Sequence, residues 1–269
     1  MYGVRVRIFL DIGAHFGETL EEVLKEKYSF DRIICFEPSL TCLERLEQYA
    51  QKDSRVEILQ IGLSNSTGVE KLYNAGKLNG SIFLDGDLSN QKSESIKLVD
   101  ASTWYSENIE KDDFVVIKTN CEGSEVQIVD SFLKGGTFEH FYSLLITFDI
   151  RDYPSLAYQE IEIRKRLEAT SFVNFCFSDD VMIGPTHEKR IENWLTLFGI
   201  DLPNQSLDDL RKEFSKNLIK FSSKSGKITR LEISLKRFFN YQHYPVFIKN
   251  FFRLIKRLLR LNRERSIDH

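Results

Sequence analysis

The sequence predicts an α/β fold: a mostly parallel sheet flanked by helices, with an insertion after the third strand and a helical extension at the C-terminal end. Three observations predict it. Short apolar runs of strand length alternate with amphipathic stretches of helix length through the first 61 residues, which implies parallel strands joined by right-handed crossovers. The regular pattern lapses from Gly62 to Asp113 into a stretch rich in Gly, Asn and Ser, then returns at Phe114. Beyond Pro185 the strand signals stop and only helical runs follow.

The elements follow in order. Val4 to Leu10 is a first strand, and DIGAHFGETL, Asp11 to Leu20, carries the chain into a helix from Gly17 to Tyr28. Arg32 to Pro38 is the second strand; Ser39 caps a helix reaching Ala50, and Val56 to Ile61 is the third strand. In the insertion, β-like runs at 69–73 and 80–84 predict a hairpin, Ser95 to Val99 a further strand and Asp100 to Asn108 a short helix. Phe114 to Asn120 is a buried strand with a polar end, Ser124 to Leu133 its helix, Tyr142 to Phe148 the next strand and Ser155 to Ala169 another helix. Ser171 to Phe177 and Val181 to Gly184 read as two closing strands, an antiparallel pair at one edge. The expected division is a domain over 1–185 and a basic helical extension over 186–269.

Charge separates the same two parts. Of the 37 Lys and Arg, 16 fall from Asn204 onward, against 6 of the 40 Asp and Glu, so a body of net −13 precedes a region of net +10. Four cysteines, at 35, 42, 121 and 176, form no CxxC pair and no His/Cys ligand set; they read as reduced thiols of a cytoplasmic protein. No secretory segment precedes the first strand and no apolar run is long enough to span a bilayer. A soluble or peripheral protein is expected.

The turn after the first strand carries the chemistry. Asp11 ends the strand, Gly13 permits the turn, and Gly17 lets the following helix pack close to strand and ligand. Free N–H groups at the helix start are expected to face a polar ligand. The spacing DxGxxxG is one residue longer than the dinucleotide fingerprint GxGxxG, which points to S-adenosylmethionine (SAM) rather than NAD. In an open α/β sheet the ligand lies beyond the carboxyl ends of the strands. Those ends are Asp11, Glu37, Gly62 with Leu63 and Ser64, Asn120 with Glu122, and Asp149. Glu37 is suited to both ribose hydroxyls, and Leu63 and Ser64 lie where an adenine ring would pack.

The order DIGAHFGETL, FEPS, GLSNSTG, KLVDASTW and KTNCEGSEVQIV resembles, segment by segment, the FkbM family of SAM-dependent methyltransferases, over about residues 8 to 150. The resemblance implies a class I SAM-methyltransferase (Rossmann-like) fold and methyl transfer, usually to a hydroxyl of a sugar or natural product. It matches Asp11, Gly13 and Gly17, with Ala14 and His15 between them, to the cofactor loop. It matches Glu37 to the ribose acid, Asp100 to the acid after the insertion, and Lys118, Glu122 and Gly123 to the family's KIDVEG segment. Asn120 stands where that segment has Asp; an amide is a weaker metal ligand and no base. Either the chain manages otherwise, or activity is lost, or position 120 only bonds the loop below SAM.

A base must take the acceptor proton; Glu122, Asp149 and His15 are the candidates. Glu122 can equally complement a helix dipole, Asp149 can pair with Arg151, and His15 can contact the methionine carboxylate or the insertion. No metal is expected, although Glu122, Asn120 and Asp149 are hard oxygen donors. His187, in THEKRIENW, reads as a surface residue near a helix start.

Helical runs follow at about 187–198, 206–222, 228–241 and 246–262. In the last, Ile248, Phe251, Phe252, Ile255, Leu258 and Leu259 recur at helical spacing among Lys249, Arg253, Lys256, Arg257 and Arg260. Such a helix docks on the acidic body, forms a homodimer contact, or lies on an anionic membrane surface; no nucleic-acid motif supports a fourth partner. The expected activity is O-methylation of a sugar or glycan in surface polysaccharide or glycolipid synthesis, in the cytoplasm or at the inner membrane face. The alternative is a non-catalytic SAM-binding partner in a membrane-associated glycan assembly system.

Overall fold

The computed structural model describes residues 6–77, 79–83, 93–170, 172 and 174–201. Six strands form the main sheet: β1 (Arg7–Ile12), β2 (Arg32–Phe36), β3 (Val56–Leu59) and, numbering on past the insertion, β7 (Phe114–Thr119), β8 (Phe141–Ile146) and β9 (Phe175–Phe177). Their order is β3-β2-β1-β7-β8-β9, and every pairing is parallel. This is a Rossmann-like doubly wound sheet, with its switch point between β1 and β7.

Both faces of the central strands are apolar, and alternate residues feed separate cores. Ile8, Leu10, Ile34, Val115, Ile117 and Leu144 enter one; Phe9, Ile33, Cys35, Val116 and Leu145 enter the other. The first core is covered by α3 (Ala101–Asn108), α4 (Glu125–Gly135) and α5 (Tyr158–Glu168), through Trp104, Ile128, Phe132 and Ile163. The second is covered by α1 (Leu20–Val23), α2 (Leu40–Lys52) and α7 (His187–Leu197), through Leu20, Leu46, Ile191 and Trp194.

The insertion forms a second sheet of β4 (Gly62–Ser64), β5 (Gly68–Tyr73) and β6 (Ser93–Asp100) in the order β4-β6-β5. The β5 and β6 strands are antiparallel, as a hairpin requires, and β4 adds in parallel. The run expected at 80–84 contributes one bridge, Ser81 to Tyr73.

Two elements differ from the sequence reading, and a third forms where expected but is seated on the sheet. The helix expected from Gly17 to Tyr28 shrinks to α1 and a 3-10 turn over Glu26–Tyr28. His15 and Gly17 take left-handed φ of 49° and 86°, so regular helix starts only after them, and Arg55 captures the Leu24 carbonyl at 2.8 Å. The antiparallel edge pair does not form: β9 runs parallel to β8, and Val181 ends a short helix, α6 (Ser178–Val181). Finally α7, expected at 187–198, packs Ile191, Trp194 and Leu195 into the sheet core with no exposure, so this first part of the extension lies on the body. The runs at 206–222, 228–241 and 246–262 lie outside the described residues. No described helix is long and apolar enough to cross a membrane.

Candidate cofactor site

A crevice of about 340 Å³ opens at the carboxyl ends of β1, β2 and β7, roofed by the insertion and closed at one end by α7. Its volume lies within the range of small-molecule sites. Gly13, with φ +84°, lets the floor form: a Cβ there would sit 2.0 Å from the Asn120 carbonyl oxygen. Gly17 clears the Tyr49 ring, 2.8 Å from a would-be Cβ, and does not line the crevice. Asp11 is fully buried beneath the floor, with Oδ1 accepting from Lys118 Nζ at 2.8 Å, and does not line the crevice.

Four N–H groups of the turn are used within the fold. Those of Gly13 and Ala14 donate to the Phe36 carbonyl, that of Gly17 to Ala14, and that of His15 to Glu37 Oε2 at 2.8 Å. The N–H groups of Gly13, Ala14, His15 and Gly17 are therefore not free for a ligand. Glu37, 7% exposed, also accepts from the Ser39 N–H through Oε1 at 2.9 Å. Burial, the largest influence, raises its pKa, against these two hydrogen bonds and the nearby His15. The carboxylate is thus fixed at the crevice wall with lone pairs to spare.

Ala14, His15, Leu63, Asn120 and Glu122 also line the crevice; Ser64 and Asp149 do not. Side chains alternate along β4, so Leu63 and its neighbour Ser64 cannot face the same way. Asp149 follows β8, one strand further from the switch point. Burial, then the Asp152 charge, raises its carboxyl to about 6. Its expected partner, Arg151, pairs instead with Glu160 and Asp179, each at 3.0 Å. Asp100 caps α3, accepting from the Thr103 N–H at 2.8 Å.

His15 Nδ1 meets Glu18 Oε1 at 3.0 Å. That hydrogen bond leads in raising the His15 pKa; burial works against the Glu18 charge, but the bond to His15 helps hold Glu18 down at about 2. Nε2 of His15 is buried without a hydrogen-bond partner, and the Gly76 backbone adds a small upward push to the pKa. Glu122, at φ 51°, is raised to about 7 by burial first, then by Asp149 and Asp152. Among the described residues no group of three or more His, Cys, Asp and Glu is placed to hold a metal ion.

Glu18, Thr19, Ser39 and His187 also line the crevice and escaped the sequence reading. Glu18, three residues from His15 within one turn, could have been found from that spacing. His187 could not: it is half-buried at the start of α7 and meets Thr19 Oγ1 with Nε2 at 3.2 Å. Its placement on the surface is therefore corrected, since the chain crosses the whole sheet before returning there.

Fold and site define a doubly wound α/β domain with a crevice at its switch point. The chain matches no protein-family model and no curated protein. Among solved structures it is similar to the crystal structure of methyltransferase FkbM from Methylobacillus flagellatus KT. Identity is 20% and the TM-score 0.33, over 51% of this chain and 32% of that one, a level at which the functional reading must rest on the site.

Proposed function

We propose that the chain is a SAM-dependent methyltransferase acting on a hydroxyl of a sugar or glycan. The observation that carries this reading is Glu37, a carboxylate pinned by two backbone N–H groups at the tip of β2 and facing the crevice. It suits the two hydroxyls of a ribose. Dinucleotide binding needs free loop donors for a pyrophosphate, whereas here the N–H groups of Gly13, Ala14, His15 and Gly17 are taken. A nucleoside without phosphates fits better.

Unpartnered buried atoms in the lining supply the rest of the fit. Asn120 Oδ1, His15 Nε2 and Ser39 Oγ have no hydrogen-bond partner, and each residue lines the crevice. Leu63 and Leu98 offer apolar wall to a base. When bound, SAM supplies a methyl group on a sulfonium, an activated leaving group. The protein's part is to orient an oxygen nucleophile, exclude water and accept its proton. Glu122 is the base of this proposal: it lines the crevice and titrates near neutrality.

Isothermal titration with SAM, S-adenosylhomocysteine and NAD, followed by methyl transfer to a panel of glycosides, tests the proposal. Preference for NAD sinks it. Tight SAM binding with no transfer to any hydroxyl acceptor favours a non-catalytic SAM-binding partner. For the basic stretch at 246–262 we favour docking on the acidic body or a homodimer contact over a membrane surface, because most apolar helix faces are buried. Sedimentation of the full chain with anionic vesicles would reverse that preference.

A further inference from the structure

The tail end of the crevice is built by a residue distant in sequence. Helix α7 is fixed on α1 and the turn after it: Glu188 pairs with Lys25 at 2.6 Å and Glu192 with Lys27 at 2.8 Å, while Ile191 and Trp194 are fully buried below. Thr186 caps the helix by accepting from the Lys189 N–H at 3.2 Å. The first residue of so firmly seated a helix has a defined position, and that residue is His187. It lines the crevice beside Thr19 and Lys118.

Nε2 of His187 meets the Thr19 hydroxyl at 3.2 Å, and Nδ1 has no partner among the described residues. Lys118, which also lines the crevice, donates to Asp11 Oδ1 and to the Gly13 carbonyl. Burial, and then the Lys118 charge, lowers the His187 pKa, which leaves the ring neutral with one proton. With Thr19 Oγ1 donating to Nε2, that proton rests on Nδ1 and becomes a hydrogen-bond donor.

We propose that His187 is a ligand-binding residue of this crevice, donating from Nδ1 to a carboxylate on the ligand, with Thr19 setting the ring. The inference rests on reading the crevice as a SAM site, where the carboxylate is that of the amino-acid end. It makes α7 part of the binding site and not only a cover for the sheet.

The test compares two ligands that differ in that end: S-adenosylhomocysteine and 5′-methylthioadenosine, the same thionucleoside without the amino acid. Calorimetry on the full chain should show the wild type binding the first more tightly. His187→Ala should lose about tenfold in affinity for it, the scale of one hydrogen bond to a charged group, and keep its affinity for 5′-methylthioadenosine. Thr19→Val, close in shape, reaches the same contact from the other side and should weaken the first ligand alone. Unchanged affinity for S-adenosylhomocysteine in both variants overturns the proposal, and so does an equal loss for both ligands, which marks a structural role. Wild type that binds neither ligand overturns the SAM reading itself, and this inference with it. Should His187→Ala fail to melt cooperatively, Thr19→Val decides by the same comparison.

Discussion

Lys118 Nζ stands 2.8 Å from Asp11 Oδ1, joining the two strands on either side of the switch point, and the side chains are 5% and 0% exposed. The same ammonium donates to the Gly13 carbonyl at 3.2 Å, so one buried cation ties strand β1, strand β7 and the turn. Removing it leaves a carboxylate buried without its partner. Lys118→Met should therefore destabilise the fold by about 3–5 kcal/mol, measured by urea unfolding. A loss below about 1 kcal/mol would mean that water reaches Asp11.

Gly13 is constrained by the backbone around it. Its φ of +84° and the 2.0 Å approach to the Asn120 oxygen combine left-handed backbone cost with a clash that backbone atoms cannot easily relieve. Gly13→Ala should cost roughly 2–5 kcal/mol and lower the melting temperature before any ligand is added. A variant with wild-type melting but weaker SAM binding would assign this glycine to the ligand instead.

The main sheet was legible because buried parallel strands write continuous apolar runs such as FVVI, and strand tips announce themselves as Asp11, Glu37 and Asn120. The boundaries that failed did so for tertiary reasons. The first helix is cut short by left-handed backbone at His15 and Gly17 and by an arginine 31 residues away from Leu24. Val181 to Gly184 has strand composition, yet Val181 is consumed by the core under α7. Glu37 could be assigned from its place at a strand end, whereas the commitments that decide roles, His15 to Glu18 and the turn's N–H groups to Phe36, leave no periodicity to read.

Glu125 holds the loop that presents Asn120 and Glu122. Fully buried, it accepts from the Cys121 N–H at 2.6 Å and from the Gly123 N–H at 3.1 Å. Glu125→Ala should cost about 2–3 kcal/mol by orphaning two buried donors. Burial first, and Asp149 second, push this carboxyl up to about 8. Unfolded, it releases its proton near the ordinary carboxyl value, so between about pH 4.5 and 8 the folded chain binds more protons and stability falls as pH rises. Thermal melts of Glu125→Gln should show a shallower fall across that window than wild type. An unchanged slope would move the effect to other groups.

Glu122 carries the remaining prediction. As the base it acts only when ionised, and burial with the Asp149 and Asp152 charges sets that step at about pH 7. Methyl transfer at saturating SAM should rise with pH, pass half its plateau near 7 and then level off. Glu122→Gln, similar in size but unable to take a proton, should lose about 10²- to 10⁴-fold in kcat while SAM affinity stays within a few-fold. Asp152 is exposed and lies outside the crevice, so Asp152→Asn tests the assignment independently: removing one repelling charge should move the midpoint to lower pH without changing the plateau. A midpoint indifferent to position 152 would point to a proton acceptor other than Glu122.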